Sequence, residues 1–151
     1  MTTHVKKLLP EADLHAIARF IAEQEQKTSG QIRVSIRQRR SGKERGLSVE
    51  DLARKEFHAL EMTKTADRSG VLIFLLLEDR KFHILADAGI HGKVGAGTWE
   101  RIAGEMSRHF SEQKFKEGIL HGVQSVATEL GRHFPHKPGG TNELSNTVRV
   151  H

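Results

Sequence analysis

Gly70-Val71-Leu72-Ile73-Phe74-Leu75-Leu76-Leu77-Glu78-Asp79-Arg80-Lys81-Phe82-His83-Ile84-Leu85-Ala86-Asp87 is the stretch on which the fold turns. The unbroken apolar run from Val71 to Leu77 lies between two turn-forming segments, Asp67-Arg68-Ser69-Gly70 and Glu78-Asp79-Arg80. A run of that length between turns reads as a strand covered on both faces rather than as a helix. The polar residues after it are too few for a crossover, so Lys81–Asp87 is expected to double back as the second arm of an antiparallel hairpin. With a two-residue turn at Asp79-Arg80, Asp87 falls opposite Leu72, at the same end of the sheet as Asp67. Asp79 is then carried to the other end, about 23 Å away at roughly 3.3 Å per residue.

Upstream, Gln31–Gln38 alternates Ile32, Val34 and Ile36 with Arg33, Ser35 and Arg37, the pattern of a strand with one wet face, expected at a sheet edge. Between the two strands, Ser48 with Asp51 resembles a capping pair for a helix that carries Leu52, Phe57 and Leu60 and ends near Met62. Strand, helix, strand in that order makes the first two strands parallel through a right-handed crossover. An earlier helix opens at Leu9-Pro10-Glu11, displays Leu14, Ile17 and Ile21, and stops at Gly30. Beyond the hairpin, Ala88–Gly97 is glycine-rich and reads as irregular, followed by helices over about Thr98–Ser111 and Phe115–Phe134. The expected class is therefore α/β: a three-layer α/β/α sandwich with a small mixed β-sheet, a parallel pair plus an antiparallel hairpin. Residues 1–8 form a lead, residues 9–134 one domain, and residues 135–151, with Pro138-Gly139-Gly140 and no period, a flexible tail.

Composition limits the chemistry. The 151 residues contain no cysteine, which removes disulfides, thiolate metal sites, iron–sulfur clusters and cysteine nucleophiles. No apolar run approaches the ~20 residues of a membrane span, and Met1–Glu11 lacks the apolar stretch of a signal peptide, so no membrane span and a cytoplasmic location are expected. A net charge of +5, from 24 basic and 19 acidic residues, is ordinary for a soluble protein.

Two clusters are candidates for chemistry. Asp67 and Asp87, at one end of the sheet, are the candidate metal ligands: two carboxylates on glycine-containing turns suit a small hard cation, Ca²⁺ or Mg²⁺. The bland reading makes Asp67 a turn former and Asp87 a cap. At the other end, Arg37, Arg39, Arg40, Lys43 and Arg80 are candidate anion-binding residues for a phosphate or an RNA backbone. No aromatic residue lies between Phe20 and Phe57 to stack on bases, which favours a solvated loop over nucleic-acid binding. His133 and His136 are separated by Pro135, and no Ser or Asp stands at a recognisable triad spacing from His58, His83 or His121. The glycines Gly89, Gly92, Gly95 and Gly97 match neither phosphate-binding fingerprint.

Leu9-Pro10-Glu11, Thr28-Ser29-Gly30-Gln31-Ile32, Asp67-Arg68-Ser69-Gly70-Val71-Leu72-Ile73, Glu78-Asp79-Arg80-Lys81, Gly89-Ile90-His91-Gly92 and the late Phe110, Phe115, Gly118 and Ile119 are together similar to the TPM domain. The chain most resembles the short, soluble bacterial branch of that family. The resemblance implies an α/β/α sandwich. It also implies the activities linked to family members: a metal-dependent acid phosphatase in plant chloroplasts, repair of a photosynthetic complex, and an accessory role beside an animal receptor. It carries Asp67 over as the family's acidic position, Asp79 with Arg80 as the hairpin signature, and Asp87 as a feature of the short branch. Gly95-Ala96-Gly97 and the tail from Thr141 to Asn146 depart from the acidic residues usual there. Two functional expectations follow: a binding or quality-control module that contacts another protein and carries a weak divalent-cation site, and a metal-dependent phosphatase. RNA binding through Arg37–Arg45 is a third. Substrate, partner and oligomeric state are not read from the residues.

Overall fold

The computed structural model describes residues 9–136 and 148–151. Helix α1 (Glu11–Glu25) leads into β1 (Gln31–Arg37); α2 (Val49–Ala59) crosses over to β2 (Gly70–Leu76); and β3 (Lys81–Ala86) returns beside it. The short α3 (Ala88–His91), then α4 (Thr98–Ser111) and α5 (Phe115–His133), precede a two-residue strand β4 (Arg149–Val150). The sheet order is β3-β2-β1-β4, with β1–β2 and β1–β4 parallel and β2–β3 antiparallel. This is the expected α/β sandwich with a mixed, open sheet.

Alternation along β2 divides its side chains between two cores. Val71, Ile73 and Leu75 join Ile32, Val34 and Ile36 under α1, α4 and α5, while Leu72, Phe74 and Leu76 meet Leu52, Ala53 and Phe57 of α2. Every residue of β2 is buried, as a strand packed on both faces requires. Local signals set the ends: Pro10 O accepts from Asp13 N and Leu14 N, and Ser48 and Asp51 exchange side-chain bonds with each other's backbone N–H.

The structure corrects several expectations. β1 is not an edge strand with a wet face; β4 flanks it at Ser35 and Ile36, and Arg33 and Ser35 are 3% and 0% exposed. The polar positions on that face tolerate burial because each meets a glutamate: Arg33 meets Glu25, Ser35 meets Glu56 and Arg37 meets Glu44. The hairpin loop is longer than a two-residue turn. Leu77–Asp79 form a 3₁₀ turn and Arg80 closes it at φ 53°, so Leu72 pairs with Leu85, and Asp87 lies beside Gly70 rather than Leu72. Helix α2 stops at Ala59, before a left-handed Glu61 at φ 58°. Ala88–Gly97 begins with α3, because the Asp87 side chain caps Ala88 N at 2.8 Å. Of the expected tail, residues 137–147 lie outside the described residues, while residues 148–151 are bound to the sheet.

Candidate functional site

Asp67 and Asp87 do end up at the same rim, around a turn whose backbone is tightly packed. A Cβ on Gly89 would stand 2.0 Å from the Asp67 carbonyl oxygen and 2.5 Å from that of Arg68, and Gly89 N donates to Arg68 O at 2.8 Å. Only glycine permits that approach. The Asp87 carboxylate, however, is already occupied: Arg68 Nε and Nη2 grip its two oxygens at 2.7 and 2.8 Å, and Ala88 N donates to Oδ1. A bidentate guanidinium saturates the face that a cation would need. Asp67 is half-buried and has an interaction of its own. Among the described residues no three acidic or histidine side chains converge to hold a metal. As arranged, this donor set does not fit a divalent ion unless Arg68 is displaced.

The basic cluster at the hairpin end is also largely matched. Arg37 donates to both carboxylate oxygens of Glu44, which also binds Lys55 at 2.7 Å. Burial alone would raise the Glu44 carboxyl; the bonds from Lys55, Ser41 and Arg37 hold it far below the usual range. Arg40 bonds Asp79 with both Nη atoms at 2.9 Å and lies 3.5 Å from Glu78, clipping the loop after β1 to the hairpin. The Arg40 bond is the main reason that Asp79 titrates below its ordinary value. Arg39, Lys43 and Arg80 remain exposed, so the anion surface expected from five cations rests on these three.

Two further polar groups were invisible in the sequence. His121 Nε2 lies 2.8 Å from Glu105 Oε1 and 3.4 Å from Ser125 Oγ, but both contacts use the same nitrogen, which is not the relay a nucleophilic serine needs. Ser35, Glu56 and His151 converge beneath β4; Ser35 is fully buried and gives its proton to Glu56, so it faces no substrate.

Among the described residues, a groove at the hairpin end, between β3 and the facing ends of α4 and α5, has the shape of a ligand site. It encloses about 620 Å³, within the ~300–1,000 Å³ usual for ligand pockets. Leu75, Leu77, Phe82, Phe110 and Phe115 form its apolar wall, Ser107, Ser111 and Gln113 one lip, and Arg80 and Lys81 the other. The rings are locked together: Phe82 meets Phe110 edge-on at 5.3 Å, and Phe110 stacks on Phe115 at 5.8 Å. Gly118 makes room for this arrangement, since a Cβ there would lie 2.5 Å from Phe110 Cε1. Sequence reading missed the groove because Phe82, Phe110 and Phe115 come from three separate elements. Arg80 alone, among the expected anion-binding residues, lines it.

The profile of the TPM domain matches residues 3–129. Comparison with curated proteins returns no match. Among solved structures, the NMR structure of the BA42 protein from the psychrophilic bacterium Bizionia argentinensis is 31% identical, with 95% of each chain covered and a TM-score of 0.85. An N-terminal domain from P. gingivalis shares the fold at 21% identity, covering 86% of this chain and 82% of its own, with a TM-score of 0.68. One from Corynebacterium glutamicum does so at 14% identity, covering 81% and 74%, with a TM-score of 0.60. With its profile matched over most of the chain, and the sandwich and hairpin in place, the protein belongs to the TPM domain family.

Proposed function

We propose that this TPM domain is a binding module that receives an extended protein segment in the groove at its hairpin end. The observation that supports this reading is the groove's chemistry: a preformed aromatic and aliphatic wall beside two cations, Arg80 and Lys81, with no acidic residue among the described residues that line it. The matching ligand presents a bulky apolar side chain next to a carboxylate, the first for burial and the second for complementarity at the rim. Turnover is not what this geometry favours. Metal-assisted phosphate hydrolysis needs carboxylates available to a cation, and Asp87, the better placed candidate, is committed to Arg68.

Titration of ¹⁵N-labelled protein with a short peptide of sequence Glu-Leu-Phe-Glu, against a Lys-Leu-Phe-Lys control, tests the reading. Saturable amide shifts confined to β3, the end of α4 and the start of α5, given by the acidic peptide alone, are the expected result. Equal responses to both peptides, or shifts elsewhere, would reject it. Arg39, Lys43 and Arg80, the exposed cations of the basic loop and hairpin, favour RNA only if a uridine oligonucleotide shifts their amides with a steep salt dependence.

A further inference from the structure

The side of β1 that faces away from β2 is built to read an extended chain. Residues 149 and 150 lie parallel to β1 opposite Ser35 and Ile36, His151 N donates to Ile36 O at 2.9 Å, and Gln38 N donates to His151 O at 2.9 Å. The side chains of this short segment alternate as in any strand. Val148 is 8% exposed and Val150 half-buried, both packed against the main core, while Arg149 and His151 reach the other face. There Glu56, 5% exposed, accepts from Ser35 and takes Arg149 Nε at 3.3 Å and His151 Nε2 at 3.0 Å on the same oxygen. A buried carboxylate fixed by a core hydroxyl and turned towards the strand position is a selectivity element, because it accepts a cation and rejects an acid. Further along the same edge, Ile32 N is closed off by Glu25 Oε2 at 2.6 Å, so the docking position spans only the last turn of the strand, from Val34 to Gln38.

From this juxtaposition we propose that the outer edge of β1, with Glu56, is a strand-docking site for a segment of a partner protein with alternating aliphatic and basic residues, and that residues 148–151 are its internal occupant. The partner segment enters by β-addition: main-chain bonds to Ile36 and Gln38 supply affinity, and Glu56 supplies the preference for a basic residue at alternate positions. The internal segment, tethered to the same chain, competes at high effective concentration. Binding in trans is therefore gated by release of residues 148–151. The groove at the hairpin end is a separate surface, and neither proposal depends on the other.

The test uses the full chain and an acetylated peptide with the sequence of residues 146–151. In an Arg149→Glu variant the internal segment carries an acid towards Glu56 and loses its hold, so the peptide is expected to bind at least tenfold more tightly than to the wild type. Saturable shifts should then appear at the amides of Ile36, Arg37 and Gln38. A peptide with both basic residues replaced by Glu should not bind either protein. Each of these results would overturn the proposal: no response at those amides in the variant, equal affinity of variant and wild type, or unfolding of Arg149→Glu by circular dichroism, which would make residues 148–151 an integral part of the fold. The variant's own oligomeric state closes the remaining route, because dimers of Arg149→Glu without added peptide would mean exchange between copies rather than docking of a partner.

Discussion

Glu25→Leu removes the carboxylate from one of the most buried ion pairs in the molecule, and the consequence can be worked out from its surroundings. Arg33 and Glu25 side chains are 4% and 7% exposed, with Nη1 to Oε2 at 3.0 Å. Burial pulls the guanidinium pKa down and pushes the carboxyl up, each only partly offset by the partner's charge. Desolvation therefore outweighs the attraction, so the pair adds no net stability of its own, and what costs free energy is removing one partner alone. Arg33 cannot shed its proton, so Glu25→Leu leaves a buried cation without the Glu25 carboxylate, with neutral acceptors such as the Ile32 carbonyl and Gln31 Oε1 still in place, at a cost of about 3–5 kcal/mol. At ~2–4 °C of Tm per kcal/mol for a domain of this size, the midpoint falls by roughly 6–20 °C. Arg33→Met is milder, because the abandoned carboxyl can protonate, and its deficit relative to the wild type should shrink as pH falls. Glu25→Leu combined with Arg33→Met should lie within about 1 kcal/mol of the wild type, the residue being the lost acceptor for Ile32 N. Urea unfolding of all four proteins at pH 7 and pH 5 measures this. A double variant as unstable as Glu25→Leu, or a Glu25→Leu loss below about 1 kcal/mol, would refute this reading of the pair.

Other outcomes follow from single features. Glu44 and Glu56 are both held below the ordinary carboxylate value of 4.5, so the stability they contribute is complete above that pH and disappears as pH falls through their folded values. Acid unfolding followed by circular dichroism should accordingly shift to higher pH in Glu44→Gln, whose remaining contribution no longer titrates; an unchanged midpoint would count against it. Gly89→Ala drives a methyl into the Asp67 carbonyl and should cost at least about 2 kcal/mol, measurable by thermal melting, because the obstacle is backbone and cannot rotate away. Arg68→Ser frees the Asp87 carboxylate, so millimolar Ca²⁺ should shift the amides of residues 67–70 and 87–89 more in the variant than in the wild type; equal responses would mean that the guanidinium does not compete with a cation.

Periodicity alone was enough for the sandwich. The apolar run from Val71 to Leu77 announces a strand buried on both faces, and the shortness of Glu78-Asp79-Arg80 forces the return of β3. What the pattern concealed was long-range and electrostatic. Arg33, Ser35 and Arg37 alternate like a solvated face, yet three glutamates from other segments neutralise and cover them, a pairing with no sequence period. The strand at Arg149–Val150 is too short to carry a periodic signal and is recognised only through its partners Ser35, Ile36 and Glu56. Asp67 and Asp87 do come to one rim, but Arg68, whose guanidinium holds Asp87, reads in the sequence as one more turn residue. The aromatic groove was hidden because its rings are scattered over β3, α4 and α5.

The most direct measurement of the binding reading is the affinity of the Glu-Leu-Phe-Glu peptide for the wild type and for Ser107→Trp, by calorimetry. Ser107 is exposed on the lip of the groove, so the indole fills the space without disturbing the core. At least a tenfold loss of affinity with an unchanged Tm is the predicted result; equal affinity in the two proteins would contradict the assignment of the groove.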